Sequence, residues 1–356
     1  EILLNSKFKV LPDGKVFIKK TYIDEKIVSE KLLSLNSMFK SYINVSDDDI
    51  KKVEEEIGIR LGYEQRKALK MLENHGVLVL TGGPGVGKTA TVRAITRLFL
   101  DKVPSGVIKY CAPTAKAAKR LSQSVKAEAV TVHKLVELQP FEKESLAKKC
   151  AANPIEADFI IVDETSMLDI SIAAIFLQAI KNGTRVLFVG DENQLPSVKC
   201  GNFLHDIIAS KLFDVYELTK NYRQARDSSI INNSTLIKEG QNPVSNNDDF
   251  IVLDYDDNKR ARRKLEELVR DNYDLATPFD LQVIEPTNAD VYLTNKWVHN
   301  HVINDFDDNY RIMYNYSYTD YTNDSSFIFN SDEFISIQKP EDLHPKIISI
   351  SGALNL

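Results

Sequence analysis

A chain of 356 residues with a formal net charge of −6 and 27% charged residues is too long for one ordinary hydrophobic core and points to two or three domains. Its 43% hydrophobic content includes no apolar run of the about 18 residues that cross a bilayer, so no membrane partner is expected. Three scattered cysteines, Cys111, Cys150 and Cys200, without a Cys-x-x-Cys pair argue against a disulfide framework or structural zinc and for a reducing, cytoplasmic compartment. The chain opens on Glu1 with no basic and then apolar leader, so no export signal is read and the natural N-terminus is expected upstream. Charge is uneven: from residue 226 onward the net is −11, whereas residues 1 to 225 carry +5. An excess that small permits a polyanion partner without requiring one.

In chain order, residues 1 to 58 form an accessory segment, with a hairpin over Lys7 to Lys19 turning at Pro12-Asp13-Gly14 and a helix over Val28 to Met38. Between residues 59 and 225, apolar runs alternate with helical stretches: Val77 to Leu80, Val107 to Cys111, Phe159 to Val162 and Val186 to Val189. That alternation predicts an α/β fold, a parallel sheet with helices on both faces. A second α/β unit is expected over 226 to 356. It comprises helices at Ser228 to Glu239, Lys259 to Asp271 and Asp290 to Asn304, a strand at Leu281 to Ile284, and alternating apolar stretches at Ser326 to Phe329 and Phe334 to Ile337.

The strongest chemical signal is Gly82-x-x-x-x-Gly87-Lys88-Thr89, which follows the strand at Val77 to Leu80 and opens a helix over Ala90 to Leu100. Such a loop wraps phosphates with successive backbone N–H groups. It makes Gly82, Gly83, Pro84, Gly85, Val86, Gly87, Lys88, Thr89 and Ala90 the candidate ATP-binding residues, with Lys88 neutralising the β- and γ-oxygens and the Thr89 hydroxyl holding Mg²⁺. The run Ile160 to Glu164 delivers two carboxylates at a strand end, Asp163 for the Mg²⁺ shell and Glu164 to polarise the attacking water. The alternative for this pair is capping of the next helix, Leu168 to Ile180. A third strand end, Gly190 to Pro196, places Gln194 toward the γ-phosphate or the lytic water, although Asp, Asn and Pro there are also ordinary turn residues.

In this order the pieces resemble superfamily 1 helicases, specifically the RecD-like family with 5′ to 3′ polarity. The stretch Leu61 to Gln65 is similar to the family's Q motif, which implies that Gln65 reads the adenine edge with Tyr63 near the base. Cys111 to Ala118 resembles motif Ia and Thr131 to Leu135 the element after it, which in the family line the single-stranded DNA track; Pro113, Thr114, Ala115, Lys116, Thr131 and His133 thereby become candidate DNA contacts. The bland alternative makes Lys116, Lys119 and Arg120 a solvated helix face and His133 a buried, hydrogen-bonded histidine. Asp163 to Asp169 resembles motif II, Gly190 to Gly201 motif III and Leu218 to Gln224 motif IV, which makes Arg223 the arginine finger. Asp13 to Phe17 and Gln282 to Pro286 have counterparts too. By position, residues 139 to 155 correspond to a strand-separating hairpin with Phe141 as its wedge, or to a plain surface loop. His299 and His301 lack partners at ligand spacing and read as solvent-facing residues rather than a metal site.

The resemblance implies a P-loop RecA-like domain at 59–225, a second, partial RecA-like domain at 226–356 with the start of an inserted β subdomain at Tyr310 to Ile337, and a small N-terminal segment. It implies an ATP- and Mg²⁺-dependent DNA helicase or translocase of DNA repair or recombination. Such a protein acts on single-stranded DNA and single/double-strand junctions and is expected to be a free-standing monomer. One departure stands out: no Thr-x-His-Lys-x-Gln-Gly run with a later arginine completes the second domain. A chain cut before that motif, a sequence closed over missing stretches and a protein without the motif are the alternatives, and the last motivates a DNA-independent ATPase switch as a second reading. A nucleotide kinase or transferase is the third, disfavoured by the hydrolytic residues Asp163, Glu164 and Gln194.

Overall fold

A computed structural model of the chain describes residues 7–73, 75–138, 147–220, 229–246, 249–273, 281, 283–285, 287–303, 310–313 and 334–337. It divides into two compact units, Glu1–Ser228 and Ser229–Leu356.

The first unit opens with the expected hairpin, β1 (Phe8–Val10) antiparallel to β2 (Val16–Ile18). Helix α1 (Lys19–Ser37) starts two turns before the predicted one, directly from β2. Then follow α2 (Asp47–Ile57), α3 (Tyr63–Leu69), β3 (Val77–Gly82), α4 (Lys88–Lys102), β4 (Ile108–Ala112), α5 (Ala115–Val125), β5 (Ala129–Thr131), the short α6 (Val132–Leu135), β6 (Phe159–Val162), α7 (Ile170–Gln178), β7 (Arg185–Gly190), α8 (Phe203–Ser210) and β8 (Asp214–Leu218). The six strands from β3 onward form one sheet, ordered β5-β4-β6-β7-β3-β8, and every pairing in it is parallel.

Both faces of this sheet are apolar, because alternate residues of each central strand point to opposite sides. Val77, Val79, Ile160, Val162, Val186 and Phe188 share one buried cluster with α1 (Val28, Leu32, Leu35) and α7 (Phe176, Leu177). Leu78, Leu80, Phe159, Ile161, Leu187 and Val189 share the other with α2 (Ile50, Val53), α3 (Leu69) and α4 (Ile95, Leu98, Phe99). The predicted accessory segment is therefore part of the first unit: α1 and α2 cover opposite faces of the sheet. Helix α2 is further tied to α4 by Lys102–Asp49 and Lys52–Asp101 ion pairs, both 2.7 Å. Arg185, buried at the start of β7, donates to the carbonyls of His75 and Leu72 and lies 4.6 Å from the Phe39 ring, fastening the loop after α1 to the sheet.

The strand order positions the site. After β3 the chain passes over two strand positions to β4, the third strand from it, and on to the edge strand β5; it returns through β6 and β7 and then crosses to β8 on the far side of β3. The carboxyl ends of β6, β7 and β3 are thus adjacent, with Thr81 beside Gly190 and Val162 beside Phe188.

The described residues of the second unit contain α9 (Ser229–Lys238), α10 (Asn258–Asn272), α11 (Asn288–Val298) with a wider turn at His299–Ile303, and an antiparallel pair, β9 (Tyr310–Met313) and β10 (Phe334–Ile337). The expected strand at Leu281 to Ile284 is not formed at its described residues: Leu281 and Val283 pack instead against Val269, Val298 and Val302. A strand needs a neighbour to take its backbone hydrogen bonds, and none lies beside this stretch among the described residues. The helix read as running to Asn304 leaves its α-helical path at Val298, and the exposed His301 ring stacks on Trp297 at 5.2 Å. Residues 139–146 with Phe141, residues 221–228 with Arg223, and Ser326 to Phe329 lie outside the described residues. No described helix is long and apolar enough to cross a membrane.

Candidate functional site

The loop between β3 and α4 has its form because only glycine fits it. Gly82 takes φ +153°, and a Cβ there would sit 2.5 Å from the Leu218 carbonyl oxygen. Gly85 and Gly87 adopt left-handed φ of 79° and 88°, which turns the chain sharply into α4. The helix starts at Lys88, two residues before the predicted Ala90, so the N–H groups of Lys88, Thr89 and Ala90 belong to its first turn and have no intrahelical acceptor. That turn contains no acid. Its positive end is therefore uncompensated by its own sequence and suited to an anion. Lys88 folds back over the loop, its Nζ donating to the carbonyls of Gly82 and, at 2.9 Å, Gly83.

Helix α3 braces this loop. Gln65 is buried, accepts from the Gly62 N–H at 2.9 Å, and donates through Nε2 to the Gly87 carbonyl and to Thr91 Oγ1, at 3.3 and 3.2 Å. Both ends of its amide are engaged inside the protein, so the adenine-edge contact expected of Gln65 requires these bonds to exchange. Tyr63, two residues earlier and 83% exposed, is open to a stacking ligand.

Beyond β6 the two carboxylates differ in environment. Asp163 accepts from the Glu164 N–H at 2.9 Å. Burial pushes its carboxyl up to about 6, with the neighbouring Glu164 charge adding to the rise and the Lys88 and Arg120 cations opposing it. Arg120 itself stands exposed on α5, as the solvated-face alternative has it. Glu164 takes a left-handed φ of 51°, a strained conformation for a side-chain-bearing residue, and leads into the turn Thr165–Met167. The helix-capping alternative fails here, since α7 is capped by Asp169, which accepts from the Ile172 N–H at 3.0 Å. Two buried hydroxyls at this edge, Thr81 Oγ1 and Ser166 Oγ, have no hydrogen-bond partner.

An expected outcome follows from the burial of Asp163. Its pKa is raised on folding, so the group favours the folded state fully below about pH 4 and that contribution is lost as pH rises through about 6. In EDTA and without nucleotide, Asp163→Asn should stabilise the protein at pH 8 by about 1–2 kcal/mol, with the gain gone near pH 4. Denaturant melts across that range check this; equal stability of the two proteins at pH 8 contradicts it.

Past β7, Asp191 Oδ1 accepts from the Asn193 N–H at 3.0 Å and its carbonyl accepts from the Gln194 N–H. Gln194 stands exposed on this turn, beside the strand that carries the phosphate loop. Leu195 and Val198 of the same loop are also exposed.

The candidate DNA residues gather at the far end of the same edge, where Ala112 of β4 pairs with Thr131 of β5. Thr114 and Thr131 cap α5 and α6, accepting from the Ala117 and Lys134 N–H groups at 3.3 and 3.1 Å. Capping uses their lone pairs and leaves each hydroxyl proton to donate. Ala115 and Lys116 are exposed, while Pro113 and His133 are half-buried. The pattern missed Glu64, half-buried at the start of α3, which accepts from the chain leaving β8. No sequence signal pointed to it, because its partners lie 155 and 156 residues away.

Comparison with known proteins gives three findings. A family model described as an AAA domain matches residues 60–255. The RecBCD enzyme subunit RecD of Mycolicibacterium smegmatis is 38% identical over 166 residues, covering 41% of this chain, and the ATP-dependent RecD2 DNA helicase of Deinococcus radiodurans is 34% identical over 228 residues, covering 64%. The chain spans 30% of the length of each of these relatives. The crystal structure of the Pif1 helicase from Candida albicans superimposes with a TM-score of 0.47 at 20% identity, covering 72% of this chain and 57% of that one.

Proposed function

Since the chain belongs to the AAA-domain family, matched over residues 60–255, we propose that it is the ATP-hydrolysing part of a RecD-like DNA helicase that moves 5′ to 3′ along single-stranded DNA in repair or recombination. The observation that carries this reading is the shared edge. A phosphate loop, the Asp163–Glu164 pair and the Thr114 and Thr131 hydroxyls all lie at the carboxyl ends of one parallel sheet. The names of the two RecD relatives support the substrate class.

In this reading the N–H groups of Lys88, Thr89 and Ala90 bind the phosphates of ATP, and the Lys88 ammonium neutralises charge that grows on the β- and γ-oxygens. The donor set fits Mg²⁺: Asp163 and Thr89 offer hard oxygen ligands, and the raised Asp163 pKa marks a carboxylate whose charge gains from a nearby cation. When bound, Mg²⁺ supplies charge neutralisation of the phosphates. Glu164 accepts the proton of the water that attacks the γ-phosphorus as the bond to the β–γ bridging oxygen breaks, and Gln194 orients that water. Arg223 is the proposed arginine finger on its residue pattern. Along the far edge, Lys116 and the Thr114 and Thr131 hydroxyls hold the phosphates of a single strand, and the partial RecA-like second domain is proposed for residues 226–356.

Duplexes with one single-stranded tail test this in the full-length protein. Unwinding of 5′-tailed substrates with ATP is expected; unwinding confined to 3′ tails overturns the subgroup, and ATP hydrolysis without unwinding of either favours a switch.

A further inference from the structure

Helix α3 touches the candidate site through two neighbouring side chains that point to different partners. Gln65 binds the phosphate loop at Gly87 and Thr91. Glu64 binds the chain as it leaves β8: Oε2 accepts from the Thr219 N–H at 2.8 Å and the Lys220 N–H at 3.3 Å, and Oε1 accepts from the Thr219 hydroxyl at 2.6 Å. The third side of the triangle is the strand pair itself, with Gly82 opposite Leu218 and no room between them for a Cβ.

We propose that Glu64 is a positioning residue for ATP hydrolysis, fastening the exit of β8 to the helix that braces the phosphate loop. The inference rests on the ATPase reading given above. Three donors converge on this side chain and nothing asks it to donate, which suits an acceptor-only carboxylate and not an amide. The Thr219 hydroxyl and N–H bonds hold the Glu64 carboxyl below its ordinary range, so it is ionised throughout neutral pH. Helix capping does not explain the residue, because the capping bond at this helix start is made by Gln65 to the Gly62 N–H. In sequence, Arg223 follows Lys220 by three positions. Glu64 thereby links the loop that holds the phosphates to the root of the segment that carries the proposed arginine finger. Loosening that root lowers turnover while leaving ATP capture to the phosphate loop.

The test compares Glu64→Gln, Thr219→Val and Thr219→Ser with wild type and Lys88→Ala, all full-length, reading kcat for ATP, the Kd of a fluorescent ATP analogue, and amide exchange at Thr219 and Lys220. E64Q and T219V are each expected to lower kcat about tenfold with Kd within about twofold, and their combination to add little to either. T219S, which keeps the hydroxyl, retains the wild-type rate. Amide exchange at both positions speeds up in E64Q. Should E64Q fail to fold, the T219V and T219S pair decides alone. Wild-type kcat in E64Q and T219V, beside turnover that K88A abolishes, overturns the inference and spares the ATPase reading. A parallel loss of kcat and ATP binding overturns it as well, since that marks a structural role only. Wild-type protein without K88A-sensitive turnover overturns both.

Discussion

Lys88→Ala is expected to lower ATP hydrolysis by about 10²- to 10³-fold, a loss of the size that follows removal of one preorganised group from a developing charge. Lys88 is the first residue of α4 and its ammonium lies over the phosphate loop, against the Gly82 and Gly83 carbonyls. Backbone N–H groups of the first helical turn can still bind phosphate in the variant, but the formal charge proposed to offset the β- and γ-oxygens is gone. Folding should survive the change: α4 begins with alanine as readily as with lysine, and the loop shape is set by Gly82, Gly85 and Gly87. Steady-state phosphate release together with a thermal melt checks both halves. Turnover retained in a folded K88A protein places the active site elsewhere.

Much of the first unit was legible in the residues because its central strands are buried on both faces. Phe159–Val162 is a strand over the span its apolar run predicts, and Val77–Gly82 and Arg185–Gly190 extend theirs by one or two residues. The strands not foreseen are those at the sheet's edges. Ala129–Thr131 is three half-buried residues long, and Asp214–Leu218 holds two exposed acids, Asp214 and Glu217, among covered positions, so neither makes a continuous apolar run. Helix α1 was read short because its first turns are polar; the residues it buries against the sheet, Val28, Leu32 and Leu35, begin midway along it. Leu281 to Ile284 shows the converse, an apolar run whose described residues fill a helical cluster instead of a strand.

At the site, residue types and order identified the loop and the Asp163–Glu164 pair, since those depend on local chain geometry. What they do to each other was not legible. The raised pKa of Asp163 comes from burial, and the cations acting on it sit on α4 and α5. Thr114 and Thr131, candidate DNA contacts on the resemblance, are helix caps in the structure, a role visible only once the helix starts are known. Gln65, expected to face a base, spends its amide on Gly62, Gly87 and Thr91. Long-range partners such as Glu64 and Thr219 leave no trace in local sequence at all.

In the proposed function, one sheet edge couples ATP hydrolysis at β3 and β6 to a single strand of DNA held at β4 and β5, all four strands belonging to the same sheet. Strand β6 pairs directly with β4: Asp163 donates its N–H to the Cys111 carbonyl, one residue before Ala112 and two before Pro113, the first of the candidate DNA contacts. A strand seated on Pro113 to Lys116 therefore bears on the backbone that carries both carboxylates. Binding there should raise kcat by about tenfold or more, and because the contacts are to phosphates the effect should weaken as salt rises. The most direct measurement is the ATPase rate of the full-length protein with and without single-stranded DNA, at low and moderate salt. A strong, salt-sensitive rise in rate is the predicted result, and a rate indifferent to DNA under both conditions would contradict the account.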